Sequence, residues 1–188
     1  SLTNGATLIG GHGDNKEESG GGVWCEFGAL VSNCWIFGNS ATSGGGSYGG
    51  TLNNCLIYEN QAAYGGGVGF YQTSGALNNC TVAGNAAVTY GGGVADGGTM
   101  NNCIVYSNTA PSNPNYYGGA FAYSCTTPLP VEGDGNIASD PQFTGGLYLY
   151  DLAAGSPCRD AGTNAFAPGA FDLNRSPRIM NGIVDMGA

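Results

Sequence analysis

The chain has very few basic residues. Lys and Arg together number 4 against 13 Asp and Glu, so the formal net charge is -9. A phosphate backbone or an anionic membrane surface would be repelled by such a chain rather than bound. No apolar run approaches the roughly 18 residues that a membrane-spanning helix requires. We therefore expect no nucleic-acid partner and no membrane insertion.

Histidine is nearly absent as well, since His12 is the single one. This excludes histidine-based catalytic triads and zinc centres with several histidines. The range 23–125 contains no basic residue and only three scattered acidic ones, namely Glu26, Glu59 and Asp96. Glycoside hydrolysis needs paired carboxylates, and no pair is recognisable. We predict that the protein is not an enzyme and has no cofactor and no metal site.

Glycine is abundant instead, with 36 residues, while charged residues make up 9% and hydrophobic ones 41%. A disordered glycine-rich linker would contain far fewer hydrophobic residues. A chain of 188 residues is the size of one domain, so we expect one folded domain over 1–188. The richness in Asn, Gly, Ser, Thr and Tyr predicts an extracellular or cell-surface protein.

Two markers recur in phase along the chain. The first is a block with one Cys and two flanking Asn positions, which occurs at 32–39, 53–60, 78–85 and 101–108. The second is a glycine triplet, which occurs at 20–23, 44–47, 65–68, 91–94 and, degraded, at 118–121. The cysteines recur at intervals of 21, 25 and 23 residues. This period is too short for helix pairs, and β-branched residues between Gly and Asn turns favour short strands.

The repeat predicts an all-β fold, a right-handed parallel β-helix of about five coils with three short strands per coil. Coils occupy 1–124, and an irregular C-terminal cap region occupies 125–188, because the repeat dissolves there and solenoids need caps. The first residues, Leu2 to Asn4, resemble a coil already in progress. We therefore expect an open coil edge at the N-terminal end.

Asparagines are predicted to mark two corners of each coil. Asn tolerates the left-handed conformation and can bond through its side-chain amide. One column should form a hydrogen-bonded ladder of Asn33, Asn54, Asn79 and Asn102. The second column, at the next corner, contains Asn39, Asn60, Asn85 and Asn108.

Cysteines form a third column, which points inward: Cys34, Cys55, Cys80 and Cys103. Neighbours in a stack of strands lie roughly 4.8 Å apart, which is slightly too far for an ordinary disulfide. We interpret this column as a core ladder of small apolar thiols. Cys125 and Cys158 flank the cap, where a disulfide would staple an irregular segment. Cys25 is the odd thiol.

The strand after the first Asn corner carries an apolar stripe on its outward face. Its two columns are Trp35, Leu56, Thr81 and Ile104, and Phe37, Tyr58, Ala83 and Tyr106. An exposed stripe of this size needs a partner. Lateral association with another chain is the leading interpretation. The alternatives are cover by the chain's own tail and stacking of sugar rings on the aromatic side chains.

Both the repeat and the tail resemble known families. Gly-Gly-Gly-Val paired with Ile36-x-x-Asn39, Ile57-x-x-Asn60, Val82-x-x-Asn85 and Val105-x-x-Asn108 resembles the GGA(I/L/V) and FxxN repeats of chlamydial polymorphic outer-membrane proteins. The tail has the motifs Asp140-Pro141-x-Phe143, Gly155-Ser156-Pro157-Cys158-x-Asp160-Ala161-Gly162, Asp172-Leu173, Arg178 and Val184-Asp185-Met186-Gly187-Ala188. It looks like the choice-of-anchor Q type of bacterial β-helix surface protein. These resemblances imply a secreted or surface-displayed bacterial β-helix.

These observations predict a non-catalytic, extracellular structural or adhesive surface module. Head-to-tail stacking on the open coil edge, or lateral contact through the stripe, would allow self-assembly into filaments. The alternative is a polysaccharide-binding or polysaccharide-degrading β-helix protein, and the stripe would then recognise surface glycans. Degradation would require acidic residues that converge beside a groove.

Overall fold

The computed structural model describes residues 1–7, 15–71, 75–145 and 150–188. His12, the single histidine, lies outside the described residues. Within the described part, helix is limited to α1 (Asn15–Glu18) and a 3-10 turn (Asn164–Phe166). No helix among the described residues is long and apolar enough to cross a membrane.

Nineteen short strands lie in the described part of the chain. In chain order they are β1 (Leu2–Thr3), β2 (Val23–Trp24), β3 (Leu30–Ser32), β4 (Trp35–Phe37), β5 (Ser40–Ser43), β6 (Ser47–Tyr48), β7 (Thr51–Asn53), β8 (Leu56–Tyr58), β9 (Gln61–Tyr64), β10 (Val68–Gly69), β11 (Ala76–Asn78), β12 (Thr81–Ala83), β13 (Ala86–Tyr90), β14 (Val94–Ala95), β15 (Thr99–Asn101), β16 (Ile104–Tyr106), β17 (Tyr116–Tyr117), β18 (Ala120–Ala122) and β19 (Cys125–Thr126). All of them pair in parallel.

The strands stack into four sheets, one on each side of a solenoid, which confirms the predicted parallel β-helix. Sheet I has the order β1-β4-β8-β12-β16-β19, sheet II β5-β9-β13, sheet III β2-β6-β10-β14-β17, and sheet IV β3-β7-β11-β15-β18. A complete coil therefore has four strands rather than the predicted three. The strands of sheet II are the ones that the prediction missed.

The coil count also differs slightly from the prediction. The solenoid has about four regular turns rather than five coils. Sheet II has only three strands, and the coils at the two ends reach that side through isolated bridges such as Ala6 with Ser40 and Thr109 with Ala86. The end coils are therefore less regular than the central ones.

The core fills the inside of the stack with one side chain from each strand. Strand alternation points the middle residue of each sheet I strand inward, and Ile36, Ile57, Val82 and Val105 are all fully buried. Leu52, Leu77 and Met100 close the core from sheet IV. Equivalent residues lie in register from coil to coil, so apolar side chains stack on their own counterparts.

Three of the four column cysteines, Cys55, Cys80 and Cys103, are fully buried, and Cys34 is half-buried. Their thiols donate to backbone carbonyls: Cys80 to Leu52 at 3.3 Å and Cys103 to Leu77 at 3.3 Å. The hydrogen bond with Cys80 and then burial raise the pKa of Cys55, and burial and then the hydrogen bond with Cys103 raise the pKa of Cys80. These thiols act as packing groups and stay protonated at neutral pH.

The second asparagine column forms a continuous ladder. The side-chain amide of Asn39 donates to the Oδ1 of Asn60 at 2.9 Å, Asn60 donates to Asn85 at 2.9 Å, and Asn85 donates to Asn108 at 3.0 Å. The backbone N–H of each Asn also donates to the next Oδ1. Asn115 accepts from Asn108 at 3.2 Å and ends the ladder. The sequence did not predict this last member.

The first column adopts the predicted left-handed backbone, with φ between 47° and 55°. Its ladder is interrupted, however. Asn54 donates to Asn33 at 2.7 Å and Asn102 donates to Asn79 at 3.2 Å, whereas Asn79 donates to the carbonyl of Asp185 instead of to Asn54. The predicted four-member ladder is therefore two pairs with part of the tail between them.

The third glycine of each triplet lies beside the buried ladder, where there is no space for a side chain. A Cβ on Gly46 would lie 2.9 Å from the Nδ2 of Asn60 and 2.7 Å from the carbonyl oxygen of Gly67. The degraded triplet at 118–121 was placed in the wrong phase. Val94 pairs with Tyr116, so residues 113–115 are the counterpart of the triplet at 91–93.

We expect the ladder to contribute strongly to stability. Asn85→Ala leaves the backbone N–H of Asn60 and the carbonyl of Ile57 buried without their present partners, and should lower the free energy of unfolding by about 2–4 kcal/mol. Asn78→Ala is the matched control, because Asn78 bonds to Asn53 and Asn101 on the half-exposed side and should cost about 1 kcal/mol. Urea unfolding measures both, and equal losses would contradict the buried ladder's role.

Candidate functional site

The apolar stripe predicted as a binding face is covered in the structure. It forms the outward face of sheet I, and its central members Leu56, Tyr58, Thr81, Ala83 and Ile104 are all buried. Trp35, Phe37 and Tyr106, at the ends of the stripe, are half-buried. The expectation of an exposed stripe is therefore wrong, and lateral association through it would first require its cover to be displaced.

The cover is the chain's own C-terminal region, which was one of the alternatives left open by the sequence. Tyr150 places its ring 5.6 Å from that of Tyr58. Met186 packs in one buried cluster with Ile104. The backbone N–H of Ala188 donates to the hydroxyl of Thr81 at 3.0 Å. The tail thus buries the apolar groups and also bonds to the hydroxyl of Thr81 at the centre of the stripe.

Arg178 fixes the tail in the gap of the first asparagine column. Its side chain is only 7% exposed. One guanidinium nitrogen donates to the Oδ1 of Asn54 at 3.2 Å, and another donates to the carbonyl of Gly187. Burial lowers the pKa of Arg178, while the nearby Asp172 and Asp185 oppose this change. Arg178 therefore donates to Asn54 in place of Asn79, which donates to the carbonyl of Asp185.

A cavity of about 290 Å³ lies between the tail and sheet I. Acidic, basic and amide side chains line it, including Asp151, Asp160 and Asp172. Each of these carboxylates accepts a hydrogen bond from within the tail: Asp151 from Asn174, Asp160 from Asn181, and Asp172 from the backbone N–H of Ser176. These polar groups hold the tail together rather than converge on a common point. In the described part of the chain, no cluster of three or more His, Cys, Asp or Glu residues could hold a metal ion.

The predicted disulfide partners lie together beneath the tail. Cys125 in β19 and Cys158 are both fully buried, in one cluster with Ile104 and Met186. Their thiols are free and in hydrogen-bond contact, which together with burial raises the pKa of Cys125. The disulfide between them stays a prediction. Cys25 is a separate buried thiol.

A different aromatic row is open to solvent. Tyr64, Tyr90 and Tyr117 stack along the solenoid axis with ring centroids 4.9 Å and 4.6 Å apart. Tyr64 and Tyr90 pair at the ends of β9 and β13, and the backbone partner of Tyr90 in the next coil is Ser112. Tyr117, from β17, is 48% exposed and continues the row over this small residue. We call these three residues, together with Asp96, the tyrosine surface.

Asp96 is the acidic member of this surface. It follows β14 with a left-handed φ of 66° and accepts a hydrogen bond from the hydroxyl of Tyr90 at 3.2 Å. Partial burial raises the pKa of Asp96, and the bond from Tyr90 opposes that rise. Burial and then Asp96 raise the pKa of the neighbouring Tyr48. Asp96 is therefore an acceptor held in place among phenol rings.

On sheet III, Gly69 makes room for the ring of Tyr48. The outward row of this sheet includes Tyr48, Gly69, Ala95 and Tyr117 in register. A Cβ on Gly69 would lie 2.9 Å from the ring of Tyr48. The sequence analysis missed this surface, although a signal was present. Tyr64 and Tyr90 each directly precede a glycine triplet, and Tyr117 precedes Gly118.

No family model, no curated protein and no solved structure matches this chain. The resemblance of the repeats to chlamydial polymorphic outer-membrane proteins, and of the tail to choice-of-anchor Q proteins, therefore stays a prediction. The function has to be argued from the geometry of the molecule itself.

We expect Arg178 to hold the tail over the stripe. Arg178→Gln removes the guanidinium bonds to Asn54 and Gly187, so the tail should open more often and proteolysis by subtilisin within 140–188 should be about tenfold faster. Arg175→Gln is the control, because Arg175 is exposed. Mass spectrometry of the fragments locates the cuts. Equal cleavage of the two variants would show that Arg178 does not hold the tail.

We also expect Cys125 and Cys158 to form a disulfide when the chain folds in a mixture of reduced and oxidised glutathione. Peptic peptide mapping should recover the two cysteines linked, while Cys80 and Cys103 remain free thiols. Closing the intervening loop should stabilise the protein by about 3 kcal/mol relative to Cys125→Ser. Recovery of both cysteines as free thiols, with the fold intact, would contradict the prediction.

Proposed function

We propose that the protein is a non-catalytic, extracellular structural and adhesive module that self-associates through the first coil. The observation that carries this proposal is the state of the core at that end. Leu2, Val23 and Val31 point into the stack but are only half-buried, whereas Ile36 and Leu52, one coil further in, are fully buried. Covering such an apolar cross-section with a second molecule is favourable.

Backbone groups at this end support the same proposal. Among the described residues, β1 and β3 are edge strands of sheets I and IV, and each pairs with one neighbouring strand. Leu30, in β3, is 62% exposed. Unpaired edges with exposed apolar side chains are templates for another strand.

The other end of the solenoid is closed. The backbone N–H of Tyr123 donates to Asp134 at 2.7 Å, and that of Thr126 donates to Ile137 at 3.0 Å, so the segment after β19 crosses the last coil. Among the described residues, no strand covers the outer edges of β1 and β3, whereas the segment after β19 bonds to the last coil. Two open ends can pair about a two-fold axis, because that interface is self-complementary. We therefore propose a closed dimer in place of a head-to-tail filament.

A backbone change at the edge tests this dimer. Ala29 accepts from Thr51 and Asn33 donates to Asn53, so strand alternation turns the N–H of Leu30 away from β7. Leu30→Pro removes that outward N–H and no internal bond. We expect sedimentation velocity to show a dimer that grows with concentration in the wild type and a monomer in Leu30→Pro.

Leu30→Ala is the matched control, because it shortens the side chain and keeps the N–H. It should retain the dimer, and all three proteins should have similar thermal unfolding midpoints. A wild-type chain that stays monomeric at high concentration would contradict the proposal. Long fibres in negative-stain electron microscopy would show head-to-tail growth and exclude the two-fold arrangement.

A further inference from the structure

We infer that the tyrosine surface is a binding site for a neutral polysaccharide chain. The three rings run along the solenoid axis and span successive coils, so they form a narrow row rather than a broad patch. A row of this shape is complementary to a linear polymer. Such a ligand would supply the adhesive role proposed above, on which this assignment rests, and it does not require the dimer.

The chemistry of the row suits sugars. The rings are tilted by 46° and 52° relative to their neighbours. Tyr64 and Tyr90 are half-buried, and Tyr117 at the end of the row is 48% exposed, so Tyr117 offers the most ring surface to a ligand. A sugar ring has apolar C–H faces and a rim of hydroxyls. Tyr provides large amphipathic contact area with few rotatable bonds, so little side-chain entropy is lost on binding. The strands beneath fix the spacing of the rings before any ligand arrives.

Asp96 adds a directed polar contact. One of its carboxylate oxygens accepts from Tyr90, and no described residue donates to the other. That second oxygen can accept a hydroxyl hydrogen from a sugar bound along the row. A few placed polar groups among aromatic side chains are typical of sites for small organic units.

Charge decides which polymers fit. The range 23–125, which contains the whole tyrosine surface, has no basic residue, and the chain carries a net charge of -9. An anionic polymer would be repelled, because Asp96 is a charged group at the site and no residue in the range 23–125 is basic. A neutral polymer avoids this repulsion. A basic peptide is the competing partner and is distinguished by experiment.

Affinity electrophoresis of the full chain tests the site. Native gels containing hydroxyethyl cellulose, xyloglucan or soluble starch serve as neutral probes, polygalacturonate as the anionic probe, and poly-lysine, added to the sample, as the basic probe. We expect retardation by at least one neutral polymer and none by polygalacturonate. Tyr117→Ala should weaken the affinity about tenfold, since removal of an aromatic contact has effects of this size.

Controls separate binding from folding and from dimer formation. Phe171→Ala removes an exposed ring from the tail and should bind like the wild type. Tyr117→Phe keeps the ring and should lose less affinity than Tyr117→Ala. Leu30→Pro should still bind, so loss of the dimer and loss of this site give different results.

The following outcomes would overturn the inference. Lack of retardation by all three neutral polymers would do so, as would retardation that Tyr117→Ala leaves unchanged. Binding of poly-lysine alone would identify a basic peptide as the partner instead. Circular dichroism of each variant should match the wild type, and Tyr90→Phe provides a second, more conservative change at the row if Tyr117→Ala fails to fold.

Discussion

The buried asparagine ladder is the constraint on which the rest of the molecule depends. Each Asn amide inside the stack must bond to the coils on both sides, because an unpaired amide in an apolar core costs about 1–3 kcal/mol. Asn60 meets this requirement through Ile36, Tyr58 and Asn85. The bonds fix the height and rotation of each coil on the next, and therefore place Leu on Leu and Cys on Cys. The ladder also explains the glycines beside it, since a side chain there would collide with an amide.

The central fold was readable from the sequence because each of these constraints repeats. One coil reveals little, but four aligned Asn-Cys blocks predict the parallel stack, the inward thiols and the left-handed corners, and the structure has all three. Sheet II was missed because its strands, such as Ser40–Ser43 and Gln61–Tyr64, are half-exposed and polar, with weak strand propensity. The triplet at 118–121 was placed in the wrong phase because Gly118 and Gly119 form a turn with positive φ and do not lie beside the ladder.

Elements that occur once were not readable in the same way. Arg178 enters the first asparagine column in place of a repeat residue, and no periodicity marks it. The sequence showed correctly that the outward face of sheet I is apolar and needs cover. It could not show that the cover is the tail, because contacts such as Tyr150 with Tyr58 join residues more than ninety positions apart. The position of Cys125 beside Cys158 was predictable in part, since both flank an irregular segment.

One aromatic row of this molecule is covered by the tail and the other is partly exposed, and this contrast indicates where its function lies. Both consist of side chains that the coil repeat brings into register. On sheet I the tail buries the centre of the row, bonds to the hydroxyl of Thr81 and contributes an aromatic ring of its own. On the side of Tyr64, Tyr90 and Tyr117 the rings stack on each other, and Tyr117 is 48% exposed. Repetition alone would expose both rows equally. A chain that covers one row and leaves the other open to solvent favours the open row as the one that meets a partner.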